Sequence, residues 1–371
     1  MRVLITGARS PVALEWATMC MHHGHEVILT DSLKKPLGSF LRGIESYIPP
    51  TASPRFAFPT YQQQILKIIT QMRIEIVIPT CEEVYYLAHV AKQCQKIFFC
   101  PMVGLLNALH NKLTVFEQLQ SLPEITLPKT RLVADKSEIE INKRTVLKPV
   151  YSRFGGQVIR DVTTQSISAA TISPPLYPWV QQQKIHGTPV CNYAIFEHGD
   201  LKAHQAYVPK YCVNGSAASA FQPISCERLD TFIAAFGKRH TYHGQVSFDF
   251  IKSQDELYVI ECNPRATSGL HLLSSRCNQL LPNMEFTSPS EQRLHHLGPI
   301  TLIAEGGLSL FKARTWLDWW SGVNVMQQHN LPVGSQIRSM FELLRLARQN
   351  KTKWSDASTV DIEWNGEALN S

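Results

Sequence analysis

Residues 244–265, GQVSFDFIKSQDELYVIECNPR, bring acidic side chains to a place where the surrounding pattern leads one to expect core. Two alternating runs, Val246–Ile251 and Leu257–Cys262, flank the polar stretch Lys252–Glu256 and read as a β-hairpin. A turn centred near Asp255 sets Asp249 directly across from Glu261. Strand alternation puts Leu257, Val259, Glu261 and Asn263 on one face. Like charges opposed on antiparallel strands repel. A hard divalent cation removes the repulsion, because Mg²⁺ takes one or two carboxylates and leaves its other positions to water and substrate phosphates. Asp249, Glu261 and Asn263 are therefore candidate metal ligands. The plainer alternative is a strand emerging into solvent.

A second constellation lies earlier in the chain. The apolar strand RTVLKPV, residues 144–150, places Lys148 at its end, and the loop Tyr151-Ser152-Arg153-Phe154-Gly155-Gly156 follows. Backbone N–H groups of such a loop cradle phosphate oxygens while the lysine supplies a point charge. The alternative is an ordinary hairpin with an exposed lysine. No GxxxxGK[ST] occurs in the chain, so this is not a P-loop.

The elements that position these residues follow from periodicity. Strand RVLIT, the turn Gly7–Pro11, a helix over 12–22 and strand 26–30 ending at Asp31 open the chain. A helix over 62–72, strand 74–78 and a helix opened by Glu82 and Glu83 continue it. This alternation predicts a doubly wound parallel sheet over the first ~105 residues. Gly7 with Asp31 invites a nicotinamide-dinucleotide reading, but positions 9 and 12, where the fingerprint needs glycine, carry Arg and Val. NKLTVFEQLQSL reads as a helix with Leu113, Phe116 and Leu119 on one face. CNYAIFEHG and DLKAHQAYV form a hairpin, and the Gly-, Ser- and Ala-rich stretch Pro209–Pro223 reads as a mobile loop. A helix near 226–239 leads to the acidic hairpin. Near the end, WLDWWSG has helix-spaced aromatics of core or interface type, and SMFELLRLAR is an amphipathic helix.

Composition sets bounds on the rest. With 371 residues, 44% hydrophobic and 18% charged, the chain has material for two or three cored domains. The net charge of +6 is dispersed in short clusters, which gives no nucleic-acid footprint. Nine cysteines show no CxxC pair, and the N-terminus lacks a cleavage-like end, so reduced thiols in a soluble, cytoplasmic protein are expected. No apolar run reaches membrane-spanning length.

The order of parts resembles the ATP-grasp superfamily: a sheet domain, a lysine on a helix, a second lysine before a glycine loop, a Q-x-x-x-x-G strand, then Asp…Glu-x-Asn. Asp249, twelve residues before Glu261, with Asn263 and Arg265 following, has a spacing like that of biotin carboxylase and the purine-pathway carboxylases. ECNPRATSG and the tail DIEWNG, residues 361–366, are similar to carbamoyl-phosphate-synthase-like members. The resemblance implies a Rossmann-like pre-ATP-grasp domain (1–105) and a small subdomain with a phosphate lid (106–185). A metal and catalytic subdomain (186–300) and a mainly helical extension (301–371) complete it. It also implies ATP with Mg²⁺, or Mn²⁺ in its place. Lys112 and Lys148 would contact phosphates, Ser152, Arg153, Gly155 and Gly156 would belong to the lid, and Gln183, Lys184 and Ile185 would face adenine. Asp249, Glu261 and Asn263 would hold the metal, and Arg265 would steady the transferred phosphoryl group. Two positions depart from the superfamily's pattern, Gln183 and Pro189, both of which are commonly acidic.

The activity so implied is a carboxylate–amine ligase that passes through an acylphosphate and releases ADP and phosphate. Lys148 and Arg265 would serve the phosphoryl step, and the backbone at Thr267–Gly269, with His271 nearby, would hold the acceptor. The partners are a small carboxylic acid and an amine, with neither nucleic acid nor membrane, and a homodimer fits the resemblance. Alternatives are a bicarbonate-using carboxylase of the carbamoyl-phosphate type, a nucleotide-sensing module without turnover, and a nicotinamide enzyme using the Gly7 loop.

Overall fold

A computed structural model describes residues 1–48, 51–152, 158–169, 178–213, 217–280, 283–287, 292–298, 311–352 and 356–369. The N-terminal sheet is parallel, in the order β3-β2-β1-β4-β5: β1 (Arg2–Ile5), β2 (Glu26–Leu29), β3 (Ser46–Tyr47), β4 (Ile76–Ile78) and β5 (Ile97–Phe98). Its central strands are apolar runs buried on both faces, as helix crossovers require. Helix α1 (Pro11–His22) starts where Pro11 follows the N-cap Ser10, whose Oγ accepts from the Val12 N–H. Helices α2 (Phe58–Gln71) and α3 (Val84–Val90) pack against the other side of the sheet. The doubly wound expectation holds here, with boundaries displaced by a few residues.

The next segment departs from expectation. NKLTVFEQLQSL is not one helix. After α4 (Val103–His110), residues 111–114 form a turn whose N–H groups at Leu113 and Thr114 donate to Asn111 Oδ1, and only α5 (Val115–Leu119) is helical. An asparagine side chain competing with the backbone interrupts the helix, so Lys112 is presented by a turn. A small antiparallel sheet follows, in the order β6 (Thr130–Val133), β8 (Trp179–Gln183), β7 (Thr145–Pro149), and α6 (Thr164–Ala169) lies between β7 and β8 in the chain. Val133, Leu147 and Trp179 pack with Ile167 of α6.

The large sheet is built from β9 (Thr188–Glu197), β10 (Asp200–Val213), β11 (Ala217–Ile224), β12 (Gly244–Ser253) and β13 (Glu256–Asn263), in the order β13-β12-β9-β10-β11. The 209–223 stretch, expected as a loop, is mostly strand: Pro209 pairs with Phe221, Lys210 with Ala220 and Cys212 with Ala218. Small side chains weaken a strand without preventing a ladder, and here Ala220 and Phe221 are buried. Helix α7 (Glu227–His240) covers one face through Leu229, Phe232, Ile233 and Phe236. It carries Glu227 and Asp230 in its first turn and Lys238, Arg239 and His240 in its last, as the helix dipole favours.

The other face of the large sheet meets α1. Gln245 is the joint: its Oε1 accepts from Trp16 Nε1 at 2.7 Å and Tyr193 Oη at 2.6 Å, and its Nε2 donates to the Pro79 carbonyl at 3.0 Å. Strands β14 (Cys277–Gln279) and β15 (Glu285–Phe286) pair apart from the large sheet, while β16 (His295–His296) and then β17 (Val323–Asn324) extend it beyond β11. Helices α8 (Ala313–Ser321), α9 (Val325–Gln328) and α10 (Val333–Asn350) follow. In α8, Trp319 is buried against His296, whereas Trp320 is exposed. Among the described residues no helix is long and apolar enough to cross a membrane, and the described cysteines are free thiols.

Candidate active site

The acidic hairpin forms with the expected register: Asp249 pairs with Glu261 and Ser247 with Asn263. One detail overturns the simple alternation. Phe250 pairs with Val259, so Ile260 is an extra residue, a β-bulge. Leu257 and Val259 accordingly pack toward α7 with Cys262, whereas Glu261 and Asn263 turn to the opposite, cleft face. The four residues expected on one face are split between two. On β12, Val246, Phe248 and Phe250 also belong to the α7 core, which leaves Ser247, Asp249 and Ile251 for the cleft.

The bulge frees the Ile260 carbonyl, and Lys148 Nζ donates to it at 3.1 Å. Lys148 is buried at the end of β7, and Lys112 reaches the same point from its turn. Lys112 Nζ lies 3.4 Å from Glu261 Oε2 and donates to the Ser152 carbonyl at 2.7 Å. Two lysines and two carboxylates thus meet. Burial lowers the Lys148 ammonium to about 8, against the upward pull of Glu261. Burial would raise Glu261, but Lys112 and Lys148 outweigh it and hold that carboxyl well below the usual range. Burial and the neighbouring Glu261 push Asp249 up to about 7. Environments that drive two adjacent acids apart are a mark of a working site.

Asn263 Nδ2 donates to Asp249 Oδ2 at 3.3 Å, and Arg265 Nη2 donates to Asn263 Oδ1 at 3.1 Å. Arg265 Nε is 2.7 Å from Glu82 Oε1, which anchors the guanidinium to the N-terminal sheet domain. Glu82 was legible only as a helix opener; its position just past the carboxyl end of β4, where open α/β sheets place ligand residues, was the available signal. Cys191 was also missed. From β9 it pairs with Asp249 of β12 on one side and with Tyr207 of β10 on the other, and its thiol hydrogen-bonds Asp249.

At the end of β8, the N–H groups of Gln183 and Lys184 donate to the carbonyls of Lys129 and Arg144. The Gln183 side chain accepts from the Lys129 N–H at 3.3 Å, and Lys184 Nζ pairs with Asp161 at 2.7 Å. The polar ends of both side chains are therefore held by the small sheet and its loops, and Ile185 is half-buried beside them. Gly187 follows because nothing larger fits: an added Cβ would sit 2.1 Å from the Lys252 carbonyl oxygen. Ser152 is placed by its carbonyl on Lys112, whereas Arg153, Gly155 and Gly156 lie outside the described residues. His271, expected near the acceptor, is buried with its Nδ1 2.8 Å from Glu15 Oε1 at the joint with α1.

The Gly7 loop does not form a dinucleotide cradle. Arg9 is buried between Asp31 and Asp361, both at 2.6 Å. The space left beside Gly7 and Asp31 is about 10 Å³, room for one water at most. Gly7, at φ +69°, is glycine because a Cβ would sit 2.8 Å from Glu83 Oε1 and Thr80 Oγ1. Among the described residues the Gly7 turn therefore leaves no room for a nicotinamide dinucleotide, since the carboxylate meant for a ribose is spent on Arg9.

A domain of two β-sheets that closes a lysine of the smaller, with a second from the turn before it, onto acids of the larger, behind a parallel-sheet domain, defines a class. Residues 109–269 match the ATP-grasp domain family. No curated protein sequence matches the chain. Among solved structures it is similar to an ADP complex of N5-carboxyaminoimidazole ribonucleotide synthetase, with TM-score 0.60 and 14% identity over 78% of this chain and 79% of that one. L-amino acid ligase from Bacillus licheniformis gives TM-score 0.58 and 13% identity, over 74% and 70%. The biotin carboxylase domain of Hydrogenobacter thermophilus 2-oxoglutarate carboxylase, in complex with MgADP and bicarbonate, gives 0.59 and 13%, over 75% and 67%. At these identities the likeness is one of fold.

Proposed function

We propose that the protein is an ATP-dependent ligase that activates a carboxylate as an acylphosphate and joins it to an amine. The observation that carries this reading is the convergence of Lys112, Lys148, Glu261 and Asp249, with Lys112 Nζ 3.4 Å from Glu261 and Lys148 Nζ on the neighbouring Ile260 carbonyl. Two buried cations beside an acid pair suit a polyphosphate that arrives with a divalent cation.

The donor set fits Mg²⁺. Among the described residues there is no group of three His, Cys, Asp or Glu able to cage a metal. Two carboxylates with the Asn263 amide leave open positions, which is how magnesium binds alongside phosphates. Asp249, Glu261 and Asn263 would hold it, and it would supply charge neutralisation on the phosphate oxygens. This chain's own part is positioning. Lys148 and Lys112 bind the phosphates. Glu82 fixes Arg265, whose guanidinium steadies Asn263 and meets the charge that develops on the transferred phosphoryl group. The Ile185 N–H, next after the two N–H groups spent on Lys129 and Arg144, would be offered to a purine nitrogen. Ile251 and Ile260, half-buried beside the acids, supply an apolar wall for it.

In the reaction, a carboxylate oxygen attacks the γ-phosphorus and ADP leaves. The amine then adds to the acyl carbon, a proton is lost from nitrogen, and phosphate leaves with the carboxylate oxygen. The test is incubation of the protein with Mg-ATP and pools of carboxylic acids, bicarbonate among them, and amines, followed by phosphate assay. Release that requires both an acid and an amine supports the ligase. Release with bicarbonate alone would move the reading to a carboxylase. No release from any pool, with Mg-ATP bound, would leave a nucleotide-sensing module.

A further inference from the structure

The last described segment, residues 356–369, returns to the first sheet and packs on Tyr151, which lies beside the turn that presents Lys112. Asp361 is buried on Arg9, and its carbonyl accepts from Ser53 Oγ at 2.7 Å and the Arg55 N–H at 3.2 Å. Two residues on, the Glu363 carbonyl accepts from Tyr86 Oη at 2.7 Å. These bonds fix the course of the segment over the carboxyl edge of the sheet. They deliver Trp364 into an aromatic cluster, 5.1 Å from the Tyr151 ring and 5.8 Å from that of Tyr85. Its carbonyl lies 3.2 Å from His110 Nε2. Gly366 then passes so close to Tyr151 that an added Cβ would sit 2.5 Å from the ring.

Tyr151 is not a neutral neighbour. Asn111 Nδ2 donates to its hydroxyl at 3.2 Å, and the next carbonyl, that of Ser152, takes the Lys112 ammonium at 2.7 Å. The Lys112 N–H donates to Val150 at 3.0 Å. Residues 150–152 are therefore the template on which Lys112 is aimed at Glu261, and Trp364 packs on the middle of that template. A flexible lysine brought to one point by a backbone carbonyl depends on where that carbonyl is held. A buried arginine between two carboxylates is a costly anchor for a chain end that served packing alone, since apolar residues hold such an end as well.

We propose that the 356–369 segment is a strap that completes the nucleotide site, with Trp364 a positioning residue acting through Tyr151 on Lys112. This rests on the reading that Lys112 serves ATP phosphates. The strap predicts that Trp364 controls nucleotide affinity without touching nucleotide.

The experiment is calorimetric titration of Mg-ADP and Mg-ATP into the full chain and its variants, with Tm measured alongside. Trp364→Leu should weaken nucleotide binding by about tenfold, a fraction of what a full misplacement of a catalytic group costs. Trp364→Phe, which keeps a ring against Tyr151, should restore most of it. Leu229→Ala, in the α7 core away from the site, should lower Tm by at least as much and leave affinity unchanged. Tyr151→Leu should weaken binding, and the Tyr151→Leu, Trp364→Leu double variant should be no weaker than the worse single one, because the two act in series. If Trp364→Leu does not fold, Gly366→Ala perturbs the same contact from the other side and should show the same loss. Loss of Tm with unchanged affinity in these strap variants, or additive effects in the double variant, would overturn the strap and leave the ligase reading standing. A wild-type chain that binds neither nucleotide would overturn the ligase reading first, and the strap with it.

Discussion

Glu261→Gln is the substitution whose consequences the structure works out most fully. It keeps shape and removes one charge from a group of four, in which the two lysines are buried and the two acids half-buried. Lys112 loses a partner 3.4 Å away, a gross attraction of about 5 kcal/mol at an effective dielectric near 20. Part of this is returned, because Asp249, which burial and Glu261 push up to about 7, is relieved of a like charge. Removing one member of a buried ion group costs several kcal/mol before such relief, so a net loss of ~1–3 kcal/mol of stability is expected and the fold survives. Activity should fall much further. The cation loses an anionic ligand, and two lysines lose the group that holds them, so ATP turnover should drop ~10²-fold or more, as loss of a principal electrostatic stabiliser does. The assay is ADP or phosphate formation over a Mg²⁺ series, with Tm as the control. Turnover and Mg²⁺ dependence both unchanged at limiting metal would refute the assignment of Glu261 as a ligand.

Further outcomes follow from the same geometry. Lys148, lowered to about 8 by burial, is charged below that pH and neutral above it, so Mg-ATP affinity should decline as pH rises past 8. Binding near pH 8.5 should then take up a proton, and a calorimetric enthalpy that does not vary with buffer ionisation would contradict this. Asp249 works in the opposite direction: protonated below about 7, it must lose its proton to bind metal, so metal affinity should weaken as pH falls below 7. Arg265→Ala should lower kcat more than it weakens nucleotide affinity, because its second contact is made as charge develops; equal losses in both would place it in ground-state binding instead. Mg-ATP should raise Tm and NAD⁺ or NADPH should not, given the water-sized space beside Gly7; a shift with the dinucleotide alone would reverse that conclusion.

The acid pair was legible in sequence because β periodicity and a short polar turn fix cross-strand register, and Asp249 does face Glu261. The bulge at Ile260 was not, because an extra residue leaves no trace in an apolar run, yet it sets the face of Glu261 and frees the carbonyl that Lys148 takes. Lys148 could be found from its strand and the glycine loop. The turn presenting Lys112 could not be told from a helix, since Asn111 looks the same as a cap and as an interior residue. Contacts between distant segments left no local signal: Glu82 with Arg265, Glu15 with His271, and Asp361 with Arg9 join positions 183, 256 and 352 residues apart. At the Gly7 loop the missing second and third glycines already spoke against a dinucleotide, but the partner of Asp31 was not legible, because a strand-to-helix turn with an acid after the next strand has the same pattern whether it holds a ribose or an arginine.

The acylphosphate itself is open to one direct measurement. An acid found by the pooled assay, labelled with heavy oxygen in its carboxylate, is turned over with Mg-ATP and its amine, and the phosphate released is examined by phosphorus NMR or mass spectrometry. An acylphosphate pathway transfers one carboxylate oxygen to phosphate, so the phosphate should carry the label and ADP should be the nucleotide product. Unlabelled phosphate, or release of AMP and pyrophosphate, would contradict the account.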